Sequence, residues 1–171
     1  DKNILICFII LFFLGIFFSF SSTSSLAGER LNKDNYFFFS KHLVFATVAI
    51  FIMFLISFLD TYFLKKIIIP AYILFFLLLI LVPIIGIEVK GAKRWLDLYF
   101  FRLQPIEILK PFFILTIVKI LTLHNFQNSN IKYLFSFCLL ISVIILLIDQ
   151  PDLGQTILII GAWIATVFVS G

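Results

Sequence analysis

The chain has 171 residues, of which 63% are hydrophobic, 18% aromatic and 13% charged, with a mean hydropathy of +1.19. A soluble domain of this size is about half apolar and keeps much of its chain near water. A soluble enzyme, a disordered tail, a nucleic-acid module and a disulfide scaffold are therefore excluded, and an all-α, polytopic bundle of transmembrane helices remains.

Crossing a hydrocarbon core near 30 Å takes roughly 17–25 mostly apolar residues. The first such run is 4–20. It follows Asp1 rather than Met and lacks the small-residue cleavage site of a signal peptide. Residues 21–42 carry a Ser/Thr cluster, Gly28 and mixed charges, the composition of a solvated loop. Runs at 43–59 and 67–87 predict the second and third helices. Pro70 sits near the start of the third, and Pro83 is expected to kink its far end.

Residues 88–104 mix basic side chains with Trp95, Tyr99, Phe100 and Phe101, which fits a segment at headgroup depth. The fourth candidate helix, 105–123, contains Glu107, Lys110 and Lys119. Each central charge costs about 2.5–3.5 kcal/mol on insertion scales, yet the segment joins two apolar blocks and is expected to span. Pro105 suits its first turn, with Gln104 as a cap. Runs at 133–148 and 157–171 predict helices five and six. The chain is expected to be cut at both ends, the last run stopping at Gly171.

Thirteen Lys and Arg against nine Asp and Glu leave +4, which is unremarkable. By alternation Lys2, Lys65, Lys66, Lys119 and Lys132 fall on one side. Arg30, Lys33, Lys41, Lys90, Lys93, Arg94 and Arg102 fall on the other. Five against seven leaves orientation open. Cys7 and Cys138 lie in apolar runs and behave as small hydrophobes; His42 and His124 are isolated, and no metal-ligand spacing is present.

Three stretches can carry chemistry. Glu107 and Lys110 are three apart and share a helical face; Pro111 would free the Glu107 carbonyl. The pair is either a polar element facing a bundle interior or a snorkelling lysine with its partner. Arg94, with Lys90 and Lys93 beside Trp95, suits either a pyrophosphate or headgroup site or plain adhesion to the bilayer surface. Pro151 suits a first helical position. Asp152 behind it is either a helix cap or a carboxylate at a cavity mouth. Ser57, Thr116 and Ser142 read as interhelical hydrogen-bonders.

In this order GAKRWL at 91–96, LQPIEILK at 103–110 and QPDLGQT at 150–156 resemble the SEDS family (shape, elongation, division and sporulation), which includes FtsW, RodA and SpoVE. LAGER at 26–30, residues 36–43 and Gln155 are most similar to the FtsW branch of alphaproteobacterial type. Ile106 departs from the family, which usually has Ser there. The resemblance implies a ten-helix membrane protein of which six helices are present. It further implies an enzyme, a peptidoglycan glycosyltransferase that polymerises lipid II in septal wall synthesis during cell division. Its partners would be a class B penicillin-binding protein, other divisome membrane proteins and membrane lipids, with no nucleic acid.

The same likeness places the protein in the bacterial inner membrane, N-terminus cytoplasmic, with the Arg94 and Asp152 segments outside. It puts the catalytic aspartate in an outer loop beyond this chain, so residues 1–171 alone are expected to be inactive. Glu107 and Lys110 are then supporting cavity residues. Arg94, Lys93, Gln104 and Asp152 are substrate-binding residues, with no metal ligand and at most a divalent cation, Mg or Mn, as cofactor. A lipid II flippase and a non-catalytic divisome scaffold are the alternative readings.

Overall fold

The computed structural model describes residues 2–22, 36–89, 91–99, 101–122 and 129–170. Two compact units divide at Asp60 and Thr61. The expectations for Arg30, Lys33, Lys90, Phe100, His124 and the LAGER stretch fall outside the described residues.

The first unit is a pair of packed helices, α1 (Lys2–Ser22) and α2 (Phe37–Ser57). Both are apolar on all sides, and large side chains such as Phe17 and Phe51 are each 63% exposed. That pattern belongs to helices whose solvent is lipid. Helix α2 starts six residues before the predicted 43, because 37–42 continues the helix. Phe37, Phe38 and Phe39 are apolar, and Lys41 near the helix end can reach the interface along its methylenes. The solvated loop is shorter to that extent. Phe20 holds the pair together at one end, stacked on Tyr36 and edge-on to Phe39. His42 lines the apolar cleft between the helices.

The second unit runs α3 (Thr61–Ile85), β1 (Ile87–Val89), β2 (Ala92–Asp97), β3 (Arg102–Leu103), α4 (Pro105–Thr122), α5 (Ser129–Asp149) and α6 (Leu153–Ser170). Five of the six helices among the described residues are long and apolar enough to cross a membrane; α4 is the sixth. The chain is a multi-pass, helical membrane protein. Helix α3 begins six residues before the predicted 67, taking Lys65 and Lys66 into its first turns. Pro70 is therefore interior to α3 rather than near its start.

Helix α4 is the core of this unit despite its charges. Ile106, Leu109, Phe113 and Ile117 are fully buried, packed with Tyr72 and Leu79 of α3, Leu140, Val143 and Leu147 of α5 and Ile159 of α6. A helix surrounded by protein can carry charges at its ends that a lipid-facing helix cannot. Of the expected interhelical hydrogen-bonders, Thr116 is buried with no partner for its hydroxyl among the described residues. Ser142 donates within its own helix to the Leu139 carbonyl, 2.8 Å away, and Ser57 is the last residue of α2.

The segment read as interfacial folds into a three-stranded antiparallel sheet, β1-β2-β3. Val89 pairs with Ala92, so the turn holds two residues, and Gly91 adopts φ +78°, as such a tight turn requires. Leu96, 4% exposed, anchors the sheet, with β2 packed on the end of α3.

Pro83 lacks an N–H, so the carbonyl of Leu79 four residues earlier loses its helical donor. The Gln150 side chain, 2% exposed, donates Nε2 to that carbonyl at 3.3 Å. Gln150→Leu keeps the volume but orphans the carbonyl, and should destabilise the protein by about 1–2 kcal/mol. Thermal unfolding in detergent reads this. Adding Pro83→Ala, which restores a backbone donor, should recover much of the loss; no recovery would dissociate the role of Gln150 from Pro83.

Candidate functional site

The starts of α4 and α6, the end of α5 and strand β2 meet at one end of the second unit. Helix α6 begins at Leu153, four residues before the predicted 157, because Asp152 caps it. Its Oδ1 accepts from the Gln155 backbone N–H at 3.4 Å, the third helical residue, as an N-cap does. Pro151 lies ahead of the cap rather than at the first helical position. The cap reading of Asp152 holds, and the residue, 7% exposed, does more than cap. Its Oδ2 accepts from Gln104 Nε2 at 3.2 Å and faces Arg94 Nε at 3.7 Å.

Gln104 therefore does not cap α4 with its side chain. Its backbone carbonyl accepts from the Glu107 N–H, and the amide turns to Asp152. Arg94 donates Nε to the Gln150 carbonyl at 3.2 Å and a terminal NH2 to the Pro151 carbonyl. These are carbonyls at the end of α5, where a cation is favoured. One arginine thus ties the sheet to the α5–α6 turn. Lys93, the next residue along β2, points to the other face. It stands opposite Glu88 in the register, and its Nζ reaches the Pro83 carbonyl at 3.4 Å. The structure thus separates Lys93 from Arg94, which the sequence placed in one cationic group.

One turn into α4, Glu107 and Lys110 form an ion pair at 2.7 Å. Gln155 of α6 closes the ring. Its Nε2 donates to Glu107 Oε1 at 2.6 Å, and its Oε1 accepts from Lys110 Nζ at 2.8 Å. The Glu107 side chain is 49% exposed and that of Lys110 23%, so the ring has a buried and an open side. Lys110 has three N–H donors; two are used within the ring.

Sequence reasoning gave Gln155 no chemical role. Its place three residues after a capping Asp was the available signal, since that position points the side chain back along the helix start. Trp95 sits on β2 paired with Ile87. Cys7 and Cys138 are free thiols. Among the described residues no group of three or more His, Cys, Asp or Glu could hold a metal ion.

The chain is 35% identical over 146 residues to a putative peptidoglycan glycosyltransferase FtsW of Cyanophora paradoxa, covering 84% of the chain and 36% of that protein. It is 32% identical over 159 residues to the probable peptidoglycan glycosyltransferase FtsW of Caulobacter vibrioides, covering 92% and 40%. Similarity to stage V sporulation protein E of Bacillus subtilis is 26% over 175 residues, covering 100% and 48%. The chain thus spans less than half the length of these relatives.

Among solved structures it resembles a chain of a peptidoglycan synthase complex that coordinates polymerization and crosslinking, with TM-score 0.79 and 27% identity. That likeness covers 95% of this chain and 46% of the other. The rod shape determining protein RodA of Thermus thermophilus gives TM-score 0.70 and 27% identity, covering 92% and 53%. The family model described as a cell cycle protein, FtsW/RodA/SpoVE, matches residues 1–171 throughout, and the chain belongs to that family.

Proposed function

We propose that this chain is the N-terminal helical part of a peptidoglycan glycosyltransferase that polymerises lipid II for septal wall synthesis, working with a class B penicillin-binding protein and other divisome membrane proteins. The observation that carries this reading is the ring of Glu107, Lys110 and Gln155, part-open at the end of a buried helix. The names of the FtsW relatives support the substrate class, and the synthase complex supports the partner. The protein sits in the bacterial inner membrane with its N-terminus cytoplasmic and the Arg94–Asp152 end outside.

In the reaction a sugar 4-hydroxyl attacks the anomeric carbon of a second lipid-linked disaccharide. The bond from that carbon to pyrophosphate oxygen breaks, and undecaprenyl pyrophosphate leaves with the electron pair. The hydroxyl proton goes to a base that we place outside these residues. Negative charge grows on the leaving pyrophosphate, and a fixed cation lowers its energy most when held in place beforehand. Lys110, steered by Glu107 and Gln155 with one N–H unused, is that cation.

Arg94, expected to contact pyrophosphate, spends two donors on carbonyls and faces Asp152. With Gln104 it holds Asp152 and the α5–α6 turn in place, and Lys93 offers a second cation on the other face of β2. A resident divalent cation does not fit this donor set: Asp152 and Glu107 each already face a cation, so no step runs through one.

The test is lipid II polymerisation by the full-length protein with its synthase partner, under moenomycin to silence classical glycosyltransferases. Glycan is expected from that pair and none from residues 1–171 alone. Lipid II moved across a bilayer without glycan would favour a flippase, and neither product would favour a scaffold.

A further inference from the structure

The end of the second unit opposite the candidate site carries a different charge pattern. Helices α3 and α4 run antiparallel there, as do α5 and α6, so the first turns of α3 and α5 meet the last turn of α4. Lys65 and Lys66 lie exposed on α3. Lys119 donates Nζ from α4 to the Lys65 carbonyl at 3.0 Å. Lys132 donates Nζ from α5 to the Leu121 carbonyl at 3.3 Å. Two hydrogen bonds thus draw ammonium groups from separate helices around the final turn of α4, and each of those ammoniums keeps two unused donors.

Among the described residues from α3 to α6, no carboxylate lies in this cluster. From α3 to α6 the acids are Glu88, Asp97, Glu107, Asp149 and Asp152, and all five lie at the other end. There they stand among Lys93, Arg94, Arg102 and Lys110, and the ion pairs Arg94–Asp152 and Lys110–Glu107 are made there. Asp60, one residue ahead of α3 in the chain, is the acid closest in sequence to the four lysines. Glu107 and Lys119 are twelve residues apart on α4, about 18 Å at 1.5 Å per residue. The two ends are therefore separate electrostatic environments.

We propose that Lys65, Lys66, Lys119 and Lys132 form a binding site for the phosphate of anionic glycerophospholipids. Depth favours a lipid over a soluble ligand. Lys119 and Lys132 sit at the ends of helices in a membrane-spanning bundle, where lysine side chains reach headgroups. Tyr62, 74% exposed in the first turn of α3, and Tyr133 beside Lys132 add phenol rings at the level where tyrosine prefers the interface. Four cations at an end of the unit that holds none of the five acids of α3 to α6 face an anionic leaflet favourably. The site is independent of the polymerase reading and holds equally for a flippase or a scaffold.

The experiment uses the full-length protein in detergent, with phosphatidylglycerol or phosphatidylcholine added and retained lipid counted by native mass spectrometry. Wild type is expected to retain phosphatidylglycerol at least tenfold more tightly than phosphatidylcholine. Each Lys→Gln change should lower phosphatidylglycerol affinity about fivefold. Lys65→Gln with Lys66→Gln alters only ammoniums outside those two hydrogen bonds, so it keeps the test valid if the fourfold variant fails to fold. Equal retention of both lipids by wild type, or unchanged affinity in the double variant, overturns the site. Displacement by millimolar inorganic phosphate would reassign it to a free anion. Binding of an oligo-glutamate peptide in place of the lipid would reassign it to an acidic protein segment.

Discussion

Glu107→Ala in the full-length protein is expected to lower lipid II polymerisation about a hundredfold while leaving thermal stability nearly unchanged. The two effects separate because of exposure. A carboxylate that is 49% exposed adds little to folding, since water and salt screen its pair with Lys110. Its value lies in where it holds the ammonium. Without it Lys110 keeps one partner, Gln155, and can swing away from the developing charge. Losing one prepositioned donor typically costs 10²–10³ in rate.

Glu107→Gln retains an oxygen for the ring and should lose only about tenfold. Lys110→Met should cost at least as much as Glu107→Ala, and the double variant scarcely more than Lys110→Met alone, because the residues act as a unit. Wild-type polymerisation by Glu107→Ala, or fully additive losses, would remove the ring from the mechanism.

Asp152→Ala carries the second large effect, and here on stability. The carboxylate caps α6, which is worth about 1 kcal/mol, and it accepts from Gln104. Removing it orphans that amide in a site where Asp152 itself is 7% exposed, for a further cost of about 1–2 kcal/mol. The Arg94 contact adds least, at 3.7 Å with the arginine side chain 36% exposed, where solvent screens the pair. A total loss of about 2–3 kcal/mol should appear as a lowered unfolding temperature in detergent. Asp152→Asn keeps a capping oxygen and should lose only about 1 kcal/mol. If Asn and Ala are equally harmful, the charge rather than the cap is what matters; if neither is harmful, the junction is held elsewhere.

The spanning helices were legible because apolar length is a strong signal, and their edges were not. Helices α2 and α3 each start six residues early, since Lys41, Lys65 and Lys66 count against hydropathy yet sit where a long side chain reaches the interface. Helix α4 was placed by its neighbours; its burial shows why three charges are tolerated. The small sheet was missed, although Ile87, Val89, Ala92, Arg94 and Leu96 alternate around Gly91, because aromatics and cations suggested a bilayer surface first. At the site, Glu107 with Lys110 followed from spacing alone. Gln155 and the Gln150–Leu79 bond did not, since they join residues 45 or more positions apart, and pairing at that range is set by packing.

That separation matters while the protein is being made. Helix α4 leaves the ribosome well before Gln155 exists, and 45 residues take roughly 2–9 s at 5–20 residues per second. During that interval Glu107 and Lys110 have only each other for partners, and of the helices in its own unit α4 has only α3 beside it until α5 follows. A segment this charged partitions poorly into lipid by itself. It must therefore wait at the insertion machinery, or against α3, until α5 and α6 arrive to enclose it. Synthesis rate and the residence of α4 at the translocon thus become part of how this protein reaches its fold.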